Sequence, residues 1–173
     1  MSKLTLLLFA LAFVACNNST DGKKDIKAED KSVASETSKN VRNNISARPA
    51  GIKVEQAFLM FDDGKLVPED NKVEVGQVVH LRLIVSGWKA TDDKVVLGAS
   101  EKIVTDEGQV VLDEQDLFAN YPDGVNSKDA GIITLSATIT RIDKLFKYFE
   151  VSFRVWDKNS SDNVSGSYRL YLK

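Results

Sequence analysis

Acidic residues recur in pairs where the chain is expected to turn. Asp62-Asp63, Asp92-Asp93, Asp106-Glu107 and the Asp157/Asp162 pair all stand at the ends of predicted strands. A hard divalent cation such as Ca²⁺ takes roughly six to eight oxygen ligands, and carboxylates crowded on adjacent loops supply them. Under that reading Asp62, Asp63, Asp92, Asp93, Asp157 and Asp162 are the candidate metal ligands. The simpler reading is turn chemistry, because Asp and Asn bond their own backbone two residues on. No D-x-[DN]-x-[DN]-G calcium loop occurs in the chain.

Other chemistry is thin. His80 is the single histidine and Cys16 the single cysteine, so neither an intramolecular disulfide nor a Cys/His metal set can be assembled. His80 shares a strand face with Val78 and Arg82, as an exposed or half-packed residue. The stretch "VSGSY" lacks the G-x-S-x-G elbow of a serine nucleophile. Trp88 and Trp156 sit at strand ends, where an indole can stack on a sugar or a partner protein, or be covered by a loop. The expectation is a protein that is not an enzyme and carries no resident cofactor, with calcium as the alternative. A net charge of −2 speaks against a nucleic-acid partner.

The elements that must position these residues are strands. In "YFEVSFRVW", Phe149, Val151, Phe153 and Val155 alternate with polar neighbours, the period of a half-buried antiparallel strand. The same alternation places Ile133, Leu135, Ala137 and Ile139 inward in "GIITLSATITR", and Val79, Leu81, Leu83 and Val85 inward in "QVVHLRLIVSG". Tyr168, Leu170 and Leu172 follow the pattern near the C-terminus. Further strands are expected at 52–61, 72–75, 99–105 and 109–113, with "TDEGQ" as a hairpin turn. One helical turn is expected at 113–118, capped by Asp113. "ITRIDKLFKYFE" reads as a turn with one buried anchor, or as a tip that touches a membrane. Many short strands and frequent turns predict an all-β, antiparallel β-sandwich over residues 50–173.

The N-terminal part is of another kind. Lys3 precedes the apolar run Leu4–Val14, which is too short to span a bilayer and has the form of a secretory leader. Polarity begins immediately after Cys16. "FVAC" at 13–16 resembles the lipobox of bacterial lipoproteins, in the loose form of Bacteroidota envelope proteins. That resemblance implies cleavage after residue 15, lipidation of Cys16 and a cell-envelope location, anchored to the outer membrane. Residues 17–49 carry seven basic and five acidic side chains, no aromatic and few apolar residues. Such a stretch buries too little surface to offset its ordering entropy and predicts a disordered tether with a reach of roughly 30 Å.

Two further resemblances concern the folded part. "VEVGQVVHLRLIVSG" resembles a strand of bacterial immunoglobulin-like modules. "VWDKNSSDNVSGSYRLYL" resembles a late strand–loop–strand of calcium-binding C2 domains, although Asn159 stands where a second close Asp is expected. Together these readings suggest a non-catalytic, envelope-anchored binding or assembly module for a protein or glycan partner. The alternatives are a calcium-dependent C2-like module and, less well supported, a small envelope hydrolase.

Overall fold

The computed structural model describes residues 40–140 and 144–173. The leader, Cys16 and most of the expected tether lie outside the described residues. Eleven strands follow in order: β1 (Ser46–Ala50), β2 (Lys53–Phe61), β3 (Lys72–Val73), β4 (Val78–Ser86), β5 (Lys94–Val95), β6 (Leu97–Thr105), β7 (Val110–Glu114), β8 (Val125–Asn126), β9 (Ile132–Thr138), β10 (Phe149–Asp157) and β11 (Asn163–Leu172). The described residues hold no α-helix, only a 3₁₀ turn at Asp129–Gly131 that leads into β9.

Two antiparallel sheets make the sandwich. The smaller has the order β2-β4-β9, the larger β1-β11-β10-β6-β7. β3 runs parallel to the second half of β11, along the same edge that β1 occupies in the first half. A two-stranded ribbon, β5-β8, lies apart. The inward residues of both sheets form one core. Leu59, Leu81, Leu83 and Leu135 come from the smaller sheet, and Ile103, Phe149, Val151, Val155 and Leu170 from the larger. The period-two reading of the sequence holds for β4, β9, β10 and β11, because a strand with one face on a core alternates with period two.

Three expectations are corrected. The sequence predicts a tether through residue 49, but residues 40–49 belong to the fold. Val41 bridges Ala57, β1 pairs with β11, and Asn43 and Ile45 are buried. A composition read over the whole of 17–49 dilutes this short segment, whose order comes from long-range pairing. The helical turn at 113–118 is absent. Asp113 and Glu114 belong to β7, and Asp116 does the capping, with Oδ1 accepting from the amides of Phe118 and Ala99 at 3.0 and 3.3 Å. The C2-like alternative gives way to an immunoglobulin-like connectivity. β2, β4 and β9 take the A, B and E places, while β11, β10, β6 and β7 take G, F, C and C′.

Candidate functional site

The acidic loops resolve into separate structures. Asp62, Asp63 and Gly64 form the three-residue loop of a hairpin closed by Phe61 and Lys65, with Gly64 at φ +81°. Asp63 accepts hydrogen bonds from the Lys65 ammonium and amide, which hold its carboxyl below the usual range. Asp92 and Asp93 are the two central residues of a tight turn between Thr91 and Lys94, both with positive φ. This is the I′ geometry that Asp tolerates and most side chains do not. Asp93 Oδ1 also accepts from the Ser127 hydroxyl at 2.7 Å. Asp157 and Asp162 are buried at the end of the β10–β11 hairpin. Among the described residues no three His, Cys, Asp or Glu side chains come together as a metal set. The six candidate ligands therefore do not converge on one site.

The two tryptophans are both engaged within the fold. Trp88 Nε1 donates to the Ala130 carbonyl at 3.0 Å, so the indole pins the 3₁₀ turn that starts β9. Trp156 lies against Gly98, its cross-strand partner, where a Cβ would stand 2.3 Å from the indole. The Arg154 guanidinium lies 5.5 Å from the Trp156 ring centroid. In the loop before β10, Phe146 is half-buried and packs on the core, edge-on to Phe149 at 5.4 Å. Leu145 beside it is 90% exposed, and Arg141–Asp143 lie outside the described residues.

A Ser–His–Asp chain is present that the sequence did not disclose. His80 Nδ1 lies 2.8 Å from Ser136 Oγ, and Nε2 lies 2.6 Å from Asp62 Oδ1. The signal was hidden because the three residues meet only through the hairpin tip that follows β2 and the β4–β9 register, which pairs His80 with Ser136. Acyl transfer needs more than this chain of bonds. It needs donors aimed at a developing oxyanion and walls that exclude water. Here the groups lie on an open strand face and the Asp62 side chain is 72% exposed. The arrangement serves to bind the Asp62 loop to β4 and β9.

The more distinctive feature is the outer edge of β9. Sheet edges are templates for pairing, and proteins guard them with charge, proline or cover. β1 carries Arg48 and Pro49, and β7 carries Asp113 and Glu114. The outer edge of β2 is covered by backbone hydrogen bonds from Asn40, Arg42, Lys65 and Val67. β9 reads IITLSAT, without a charge, and among the described residues its ladder pairs only with β4. Beside it a cleft of about 300 Å³ is lined by Leu97, Phe118, Tyr121, Val125, Ile132 and Thr134. Phe118 and Tyr121 meet edge to face at 6.4 Å, while Tyr121 and Ile132 are 60% and 51% exposed. Asp116 positions this wall. Burial pushes its carboxyl up, but the Lys158 ion pair at 2.7 Å and the Phe118 and Ala99 amides outweigh that and hold it below the usual range.

The class this connectivity defines is an immunoglobulin-like antiparallel β-sandwich. No protein-family model and no curated protein sequence matches the chain. Among solved structures the chain is similar to the C-terminal domain of wzt, at 13% identity and a TM-score of 0.49, over 76% of this chain and 80% of that one. It is also similar to an immunoglobulin-like protein from Pseudomonas aeruginosa, at 13% identity and a TM-score of 0.34, over 74% and 97% of the two chains.

Proposed function

We propose that this protein is a lipid-anchored, non-catalytic binding module of a bacterial outer membrane. Cys16 is its acylated anchor, and the edge of β9 with the adjoining cleft is its binding surface. The observation that carries the reading is the edge of β9, uncharged and without a partner strand among the described residues, beside an apolar cleft. An open ladder of amides and carbonyls is matched by another extended backbone, and the Phe118/Tyr121 cleft takes an apolar side chain of the same segment. A protein partner therefore fits this surface better than a glycan, whose hydroxyls need more polar groups than Thr134 and Asp129 provide in the lining. The anchor rests on "FVAC" and the short apolar run before it; several acyl chains hold a soluble domain at a membrane at about 0.8 kcal/mol per buried CH₂.

The test uses the full chain in its host envelope. A photo-crosslinking residue in place of Tyr121 should give a discrete protein adduct, which Ile132→Lys on the same chain abolishes without lowering the melting temperature. Equal adduct yields from a crosslinker at Val111 on β7, or adducts to saccharide alone, would overturn the reading.

A further inference from the structure

Asp157 and Asp162 close the β10–β11 hairpin. The Asp157 amide donates to the Asp162 carbonyl at 3.0 Å, one step beyond the Trp156–Asn163 pair of the ladder. Residues directly opposed on antiparallel strands share a face, with Cβ atoms about 4.5–5.5 Å apart, and like charges there repel. That face is the inner one, since Asp157 continues the inward series Val151, Phe153, Val155 and Asp162 precedes inward Val164. Both are buried, 2% and 1% exposed. Each has one oxygen accounted for. Asp157 Oδ1 accepts from the Asn159 amide at 3.0 Å, and Asp162 Oδ1 lies 3.5 Å from the Lys89 ammonium. The other oxygen of each, Asp157 Oδ2 and Asp162 Oδ2, is buried with no partner.

Two buried, opposed carboxylates, with one ammonium 3.5 Å from Asp162 alone, leave charge uncompensated. Lys89 does not cancel it, because its side chain is 72% exposed. Lys158, next to Asp157 in sequence, is committed to Asp116. Gly51 lies directly over Asp162. A Cβ there would stand 2.0 Å from Asp162 Oδ1, so the β1–β2 turn passes the carboxylate as bare backbone.

We propose that the two buried, partnerless oxygens of Asp157 and Asp162, carried by opposed residues of the hairpin, hold a hard divalent cation of the calcium type at this end of the sandwich. Two carboxylates supply the charge, and backbone carbonyls and water complete an oxygen shell, as such cations accept. The site is independent of the β9 edge and uses only two of the six acidic residues singled out in the sequence.

The experiment is a calcium and magnesium titration of the purified chain, read by calorimetry and by melting temperature against a chelator control. Binding to the native state alone raises the melting temperature by mass action. Calcium should give a saturable heat and a raised melting temperature. Asp157→Asn and Asp162→Asn should each abolish both. Lys89→Met, which removes a competing positive charge, should tighten binding several-fold. No heat and no shift in the wild-type chain, together with Asn variants more stable than wild type in chelator, would overturn the proposal. A shift that survives in both Asn variants would also overturn it, by locating the cation elsewhere.

Discussion

Asn43 and Asn71 lock into one another across the end of the sandwich. Asn43 Nδ2 donates to Asn71 Oδ1 at 2.9 Å, and Asn71 Nδ2 donates back to the Asn43 carbonyl at 2.8 Å. Asn43 Nδ2 also reaches the carbonyls of Val67 and Pro68, and its Oδ1 accepts from the Leu59 amide of β2. Asn71 extends the network to the Arg169 carbonyl of β11. Both residues have positive φ, which Asn tolerates better than other non-glycine residues. The pair thus ties the incoming chain to β2, to the β2–β3 loop and to β11. Asn43→Ala should cost about 3 kcal/mol, because it leaves several buried groups unpaired at about 1–3 kcal/mol each. A chain starting at Asn40 should melt with the full protein, and one starting at Gly51 well below it. Equal melting temperatures for the two truncations would show that this N-terminal segment adds nothing to the fold.

Glu101 predicts an unusual pH dependence. It lies on the inward face of β6, 2% exposed, with Oε1 unpartnered and the Tyr168 hydroxyl of β11 also unpartnered. Burial pushes its carboxyl up to about 7 from 4.5. The folded state then binds a proton that the unfolded state has released, so stability falls as pH rises from about 4.5 through 7 and levels off above. The loss is about 3 kcal/mol at most. Glu101→Gln should flatten that stretch of the stability–pH curve and raise the melting temperature at pH 8. Denaturant titrations at several pH values check it; an unchanged slope in the variant would mean another group titrates.

Phe153 is packed in the core and faces Gly166 across the ladder, where a Cβ would meet the Phe153 ring at 2.6 Å. Phe153→Ala should cost about 3–5 kcal/mol, as truncating a buried aromatic does. Ser152→Ala, on the opposite face, should cost little. Chemical denaturation of the two variants gives the ranking directly.

Ser136 should not react as a nucleophile. A fluorophosphonate probe should leave it unlabelled at neutral pH, as its bond to His80 lies on an open strand face and the Asp62 side chain is largely exposed. Stoichiometric labelling that Asp62→Ala suppresses would make the Ser–His–Asp chain an active site and contradict a non-catalytic role.

Cys16→Ala should remove incorporation of labelled fatty acid and release the protein from the membrane fraction or leave its leader uncleaved. Unchanged membrane retention and mass in that variant would end the proposed lipid anchor.

The sequence by itself determined the strands and which way they face. Alternation in 149–155, 79–85 and 133–139 is a local property, since burial of one sheet face against a core imposes period two whatever the partners are. Turns such as Thr105–Gln109 were equally legible, because Gly108 meets a local backbone demand at φ +85°. What the chain could not disclose locally was pairing. β1 is ordered by β11, more than a hundred residues away, and its own five residues, SARPA, carry no strand signature. The meeting of Asp62, His80 and Ser136, the interlock of Asn43 with Asn71, the burial of Glu101 and the open edge of β9 are likewise products of register and strand order. Side chains distant in sequence become neighbours only when non-local ladders form. The ladder decides which polar groups end paired, which end buried without a partner, and which edge has no partner strand among the described residues.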